Sequence, residues 1–179
     1  MQTKNFAAIR KKLETLLDEY QIELVFPIPQ QKWIATYHAD GHLLRRRKSP
    51  KRGNLLHLFD ELIRFPQFVH HKNFTLTAIL IDMEEHRCDD GRGSWRRRGL
   101  SIVDRSLLAV NTTYHFHTVS DFLPLIPANL EEPFSNKDFA AACQISTRQS
   151  QRIVYCLRKM DALQIVGKKG NAYLYQKNQ

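Results

Sequence analysis

The sequence lacks most of the patterns that identify secreted, membrane-spanning or zinc-binding proteins. It has 3 cysteines in 179 residues, an odd number with no CxxC pair, so neither a disulfide framework nor a zinc site is predicted. No apolar run reaches the length of a membrane span, and no signal-peptide core follows Met1. No glycine-rich phosphate-binding motif is present. These absences favour a cytoplasmic protein that has no membrane partner.

Positive charge, by contrast, is abundant and unevenly distributed. The chain has 27 Lys and Arg residues against 18 Asp and Glu, a net charge of +9. Residues 133–179 alone contain eight Lys and Arg against two acids, a net of +6. A surplus of cations is what the neutralisation of nucleic-acid phosphates requires. The charge distribution therefore points to DNA as a partner.

The C-terminal segment has the pattern of two helices followed by a hairpin. Ser135 can cap a first helix that has an acid, Asp138, in its first turn. Ser146 can cap a second helix, in which an apolar stripe is expected to face inward. The stripe consists of Ile153, Leu157 and Met160. A tight basic turn, residues 167–171, separates two strand-like runs at 163–166 and 172–176.

This order of helix, turn, helix and hairpin resembles the winged helix-turn-helix family. The resemblance implies that the second helix enters the major groove of DNA, while the hairpin contacts the neighbouring backbone or minor groove. The residues expected to contact DNA in this way are Arg148, Gln149, Gln151, Arg152, Lys168 and Lys169. Because some members of this family use the winged helix to pair proteins, protein–protein pairing is an alternative.

The N-terminal segment is predicted to be an α/β domain spanning residues 1–117, followed by the winged helix-turn-helix domain at 118–179. The predicted elements are a helix at 4–20, strands at 21–27, 32–38 and 42–48, a helix at 54–64, a strand at 74–83, an exposed loop or hairpin tip at 84–98, a strand followed by a short helix within 100–110, and a short helix at 118–125. Asp40-Gly41 is typical of a hairpin turn, and the apolar run at 76–81 predicts a central strand.

Helix, three-strand meander, helix and strand is an order similar to that of the restriction-endonuclease-like PD-(D/E)XK nucleases. The resemblance implies a hydrolase in which carboxylates hold Mg²⁺. The candidate metal ligands are Asp40, Asp60, Glu84 and Glu85, and the candidate catalytic residues are Asp60, Glu61 and Glu85. The third predicted strand, however, has no acid where the family has one. The first hypothesis is therefore DNA binding, which requires no cofactor. A Mg²⁺-dependent DNA endonuclease is the alternative.

Two basic runs in the N-terminal segment predict a second nucleic-acid surface. The residues concerned are Arg45, Arg46, Arg47, Lys51 and Arg52 in the first run and Arg96, Arg97 and Arg98 in the second. The second run follows Trp95, and arginine beside an aromatic ring suits phosphate contact combined with base stacking. Self-association into a homodimer is left open by the sequence.

Overall fold

A four-stranded sheet, a two-stranded sheet and several helices make up residues 6–178, the part of the chain that the computed structural model describes. The α-helices are α1 (Phe6–Leu16), α2 (Phe59–Leu62), α3 (Asn136–Ala142) and α4 (Thr147–Lys159). The strands are β1 (Ile22–His38), β2 (Leu43–Lys48), β3 (Phe74–Asp89), β4 (Ser101–Phe116), β5 (Leu163–Lys169) and β6 (Ala172–Lys177). Short 3₁₀ segments are Leu55–Leu58, Pro66–His70, Trp95–Arg97 and Val119–Leu125.

The larger sheet has the strand order β2-β1-β3-β4, and β5 pairs with β6 in the smaller one. β1 and β2 are antiparallel and are joined by the predicted turn, in which Gly41 has a φ of +92°. A positive φ is readily adopted by glycine, which has no Cβ. β3 lies between two neighbours, as its apolar run predicted, and the mixed α/β class is confirmed.

The predicted three-strand meander is wrong, because its first two strands are one continuous strand, β1. Pro27 and Pro29 lie within β1, although proline has no N–H to donate to a neighbouring strand. The two prolines are two residues apart, so their missing donors lie on the same edge of β1. On this edge, the Pro29 carbonyl accepts a hydrogen bond from the backbone N–H of Gly53 at 2.8 Å. Gly53 follows the end of β2, whose pairing with β1 stops at Lys48. Neither proline therefore removes a bond between β1 and β2.

Three further elements differ in part from the prediction. β3 continues to Asp89, through the first six residues of the predicted loop or hairpin tip at 84–98, and its polar side chains find partners on other strands. Glu84 accepts from Arg46 on β2, and His86 lies 3.1 Å from the Ser106 hydroxyl on β4. In the region predicted at 100–110, residues 101–110 are all strand and belong to β4, without a helix. The predicted helix at 54–64 consists of a 3₁₀ turn followed by the short α2.

The described chain divides into two compact units, each with its own apolar core. The first comprises residues 6–26, 56–77 and 114–178, and the second residues 27–55 and 78–113. The core of the first includes Leu13 and Leu17 from the predicted stripe of α1, whose predicted start at Lys4 lies outside the described residues. Ile34 and Met83 are buried in the second. Within residues 6–178, no helix is long and apolar enough to cross a membrane.

Candidate nucleic-acid interface

Two serine caps begin the helices of the C-terminal segment, as the sequence predicted. The Ser135 hydroxyl accepts from the N–H groups of Lys137 and Asp138, and the Asp138 carboxylate accepts from Ser135 N at 2.8 Å. This bond from the backbone N–H of Ser135 holds the pKa of Asp138 below its ordinary value. Ser146 accepts from Gln149 N at 3.2 Å at the start of α4. Both helix starts are therefore fixed by local hydrogen bonds.

One face of α4 is fully buried, and it contains the predicted stripe. Ile153, Leu157 and Met160 are each 0% exposed. The buried Ser150 hydroxyl donates to the Asn136 carbonyl at 2.7 Å and so links α4 to α3. Cys156 lies on the same face, and burial, assisted by the charge of Asp60, raises the pKa of its thiol to about 12. This face belongs to the core, and Cys156 remains a protonated thiol at neutral pH.

The opposite face of α4 presents a polar stripe to solvent. Its members lie three or four residues apart along the helix, the spacing that places side chains on one face. They are Arg148, Gln151, Tyr155 and Lys159, all exposed. Arg148 and Gln151 were predicted as DNA contacts, whereas Tyr155 and Lys159 were missed, although helical periodicity counted from Arg148 would have identified them. Gln149 is half-buried at the edge of the stripe.

Arg152, by contrast, is only partly exposed and pairs within the protein, although it lies four residues from Arg148. Its Nη1 donates to Asp60 Oδ1 on α2 at 2.6 Å, and both side chains are about one third exposed. Helices α2 and α4 pack against each other within the first unit. Because the carboxylate compensates the guanidinium charge, Arg152 adds little positive potential to the surface of α4. The structure therefore separates Arg152 from the other predicted contacts.

The hairpin β5–β6 presents two exposed lysines at its tip. Lys168 and Lys169 pair with Tyr173 and Ala172 across the hairpin, and Gly170, with a φ of +60°, provides the left-handed turn residue. Lys168 Nζ lies 4.6 Å from the centroid of the Tyr173 ring, within the range of a cation–π contact. An isolated bridge joins Phe134 to Tyr175, so β6 is also paired with the segment that precedes α3.

The basic run on β2 divides between the two faces of its sheet. Arg46 and Lys48 share a face with Trp33, their charged groups lying 5.6 and 5.1 Å from its ring centroid. Arg45 and Arg47 occupy the alternate positions and therefore the other face. All four are exposed, as are Lys51 and Arg52 in the loop that follows. The sequence placed these cations together, but the strand distributes them over two surfaces.

The connection between β3 and β4 is an ordered tip that holds Trp95 outward. Trp95 is 82% exposed, and the Arg96 guanidinium lies 5.5 Å from its ring centroid. Gly93 N donates to the Gly99 carbonyl at 2.7 Å, and a Cβ at Gly93 would overlap the Leu100 carbonyl. Arg98 is exposed, whereas Arg97 donates through Nε to that carbonyl at 3.1 Å. A tryptophan and two exposed arginines thus share one tip.

The carboxylates predicted to bind metal are paired with cations or backbone groups instead. Glu85 is buried between cations from three strands: Arg87 at 2.7 Å, Arg105 at 3.3 Å and Lys32 at 3.7 Å. Burial by itself would raise the pKa of Glu85, but the hydrogen bond from Arg87 and these charges outweigh it and lower the pKa. Glu84 accepts from Arg46, and Asp60 from Arg152.

Asp40 and Glu61, the remaining candidate acids, do not complete a metal site. The backbone N–H of His42 donates to Asp40 at 3.0 Å and is the main cause of its lowered pKa. Glu61 is half-buried next to Asp60 on α2. Among residues 6–178, no group of three His, Cys, Asp or Glu side chains is arranged to hold a metal ion. The acids present therefore do not fit Mg²⁺, which binds through carboxylates free to coordinate it.

Comparisons with other proteins give a family and one distant relative. A family described as "Domain of unknown function (DUF8091)" matches residues 1–117. An uncharacterized protein of Treponema pallidum (strain Nichols) is 28% identical over 178 residues, which cover 99% of this chain and 70% of that protein. No solved structure matches the chain. The family match lies wholly before the C-terminal helices and hairpin.

Proposed function

The chain belongs to the DUF8091 family, whose match ends before α3, and we propose that the segment beyond that match binds duplex DNA through a winged helix formed by α3, α4 and the hairpin β5–β6. In this proposal α4 enters the major groove and the hairpin tip contacts the adjacent backbone. The single observation that carries the proposal is the solvent-exposed stripe on α4, which leaves a cationic and polar face free while the other face is buried in the core.

The dimensions of α4 suit this role. Its 13 residues give a helix roughly 20 Å long at about 1.5 Å per residue, and a major groove about 12 Å wide admits one helix. Arg148 and Gln151 lie in the first half of α4, the part that reads base edges in helix-turn-helix proteins. Arginine pairs with guanine and glutamine with adenine in that groove. Lys159, at the other end of α4, is suited to a phosphate.

Lys168 and Lys169 extend the same cationic surface onto the hairpin. Both are exposed at the tip, where lysine acts as a flexible point charge toward phosphate oxygens. Contacts of this kind position a protein on DNA without reading its sequence. Together with Arg148 and Lys159 they provide four exposed cations on α4 and the hairpin.

The second unit supplies further cations that support a nucleic-acid partner. Arg45 and Arg47 are exposed on β2, and Trp95 with its neighbouring arginines is exposed at the β3–β4 tip. An aromatic ring stacks on an unpaired base irrespective of sequence. We assign these residues to an accessory surface. No observation favours the endonuclease alternative, because four of its five candidate acids are paired as described above and no three acids among residues 6–178 are arranged to hold a metal ion.

The salt dependence of DNA binding tests the proposal. Three phosphate contacts, from Lys159, Lys168 and Lys169, predict a slope of about −2.7 for log K against log [salt], at about −0.9 for each contact. Affinity for a duplex would then fall roughly 40-fold between about 50 and 200 mM salt. In the double variant Lys168→Ala/Lys169→Ala, one contact remains, so the slope becomes about −0.9 and the fall roughly 3.5-fold. Fluorescence anisotropy with a labelled duplex, repeated over this range of salt, measures the slope for the unaltered protein and for the variant.

A matched control removes two adjacent lysines that are exposed elsewhere in the same unit. Lys11→Ala/Lys12→Ala on α1 has the same change of charge, and we expect it to leave the slope unchanged. Equal slopes for the two double variants would show that the hairpin does not contact DNA. If the unaltered protein binds no duplex at about 50 mM salt, the proposal is wrong, and the protein-pairing alternative for the winged helix takes its place.

A further inference from the structure

The two outer strands of the four-stranded sheet differ in how their edges are protected. β2 carries Arg45, Arg46, Arg47 and Lys48 among its six residues, and charges of this kind discourage pairing with another strand. β4 has the opposite character. Residues 106–114 contain no Asp, Glu, Lys, Arg or Pro, and they form more than half of a strand of 16 residues.

β4 also exposes apolar side chains on both of its faces. Val103, Leu107, Leu108 and Val110 are between 47% and 68% exposed, and consecutive residues of a strand point to opposite faces. In the described chain, β4 pairs with β3 along one edge, and no further strand follows it on the other. A long, uncharged and apolar edge presents unpaired N–H and C=O groups as a template for another strand.

We propose that this edge pairs with β4 of a second copy of the chain, extending the sheet across a two-fold axis. The distribution of charge favours this pairing over one between two β2 strands. Pairing two β2 strands would set arginines against arginines, and like charges opposite each other are destabilising. Pairing β4 with β4 joins two neutral runs. The arrangement is isologous, so each copy uses the same surface and the assembly closes at two subunits.

In an antiparallel arrangement centred on Ala109, the two apolar residues beside the axis oppose each other and Arg105 opposes no titratable residue. In this register Leu108 of each copy lies opposite Val110 of the other. Arg105 lies opposite Thr113, whereas centring on Val110 would place it opposite His115. The two Ala109 Cα atoms lie about 4.5–5.5 Å apart, the separation of directly opposed residues in an antiparallel pair.

Sedimentation velocity from roughly 1 to 100 μM protein tests the pairing. The unaltered protein is expected to show a species with twice the 21.0 kDa mass of the chain. Val110→Lys places two like charges near the axis and raises the dissociation constant at least about tenfold. Leu44→Lys is the matched control on β2, since Leu44 is 54% exposed and Val110 55%, and it leaves the dimer intact.

A second measurement decides the matter even if Val110→Lys fails to fold. Ala109→Cys is expected to give a disulfide-linked dimer under mild oxidation, because the proposed Cα separation lies in the disulfide range, whereas Leu44→Cys gives none. Three outcomes would each overturn the proposal. The protein sediments as a monomer at every concentration, or Leu44→Lys dissociates the dimer whereas Val110→Lys does not, or Ala109→Cys forms no cross-link. None of these experiments contains DNA, so their outcome is independent of the proposed function.

Discussion

Arg148 and Arg152 lie four residues apart on α4, and the structure predicts opposite consequences for their removal. Arg148 is on the exposed stripe, whereas Arg152 pairs with Asp60 at 2.6 Å. We expect Arg148→Ala to weaken DNA binding without changing stability. We expect Arg152→Ala to lower stability with little change in DNA binding, although the sequence pattern gave both arginines the same role.

The magnitudes follow from exposure and chemistry. An arginine contact to a base edge contributes about 1–3 kcal/mol, so Arg148→Ala should reduce affinity roughly 5- to 150-fold while stability changes by less than about 0.5 kcal/mol. The Arg152–Asp60 pair is about one third exposed, and solvent screening limits such a pair to about 0.5–1 kcal/mol. The midpoint of thermal unfolding should therefore fall by roughly 1–4 °C in a chain of this length.

Anisotropy with a labelled duplex and urea denaturation measure the two effects on the same preparations. A double-mutant cycle of Arg152→Ala with Asp60→Ala should give a coupling of about 0.5–1 kcal/mol in stability. If Arg152→Ala weakens DNA binding more than Arg148→Ala does, α4 meets DNA by another face and the proposed docking is refuted. A coupling near zero would show that the pair with Asp60 is not maintained in solution.

Two further predictions concern buried and capping carboxylates. Glu85→Gln leaves Arg87 and its neighbours without a buried counter-charge and should cost about 2 kcal/mol near pH 7 in urea denaturation. The pKa of Glu85 is lowered in the folded protein. Its contribution to the free energy of unfolding is therefore fully present above its unfolded pKa of about 4.3 and is lost as the pH falls through its folded pKa. If Glu85→Gln is still less stable than the unaltered protein at about pH 2, that result contradicts this reasoning. Asp138→Ala should cost about 1 kcal/mol through the lost cap, and this difference should likewise shrink below about pH 4 because the pKa of Asp138 is also lowered.

The predictions that the structure confirms depend on interactions between residues close in sequence. Ser135 and Ser146 begin their helices through hydrogen bonds to residues two or three positions later. The turn at Asp40-Gly41 requires only the backbone freedom of glycine. The burial of Ile153, Leu157 and Met160 follows from helical periodicity. Each of these signals is complete within a few residues, which is why the sequence reveals it.

What the sequence by itself determined is therefore the series of local elements and the excess of positive charge in the C-terminal segment. Only the tertiary structure decided which charges remain available, since Asp60 reaches Arg152 across 92 residues and Glu85 gathers cations from three strands. It also decided that the apolar run of β4 lies at an outer edge. The physical reason is that charge compensation and exposure depend on neighbours brought together by folding, and distance along the chain does not encode them.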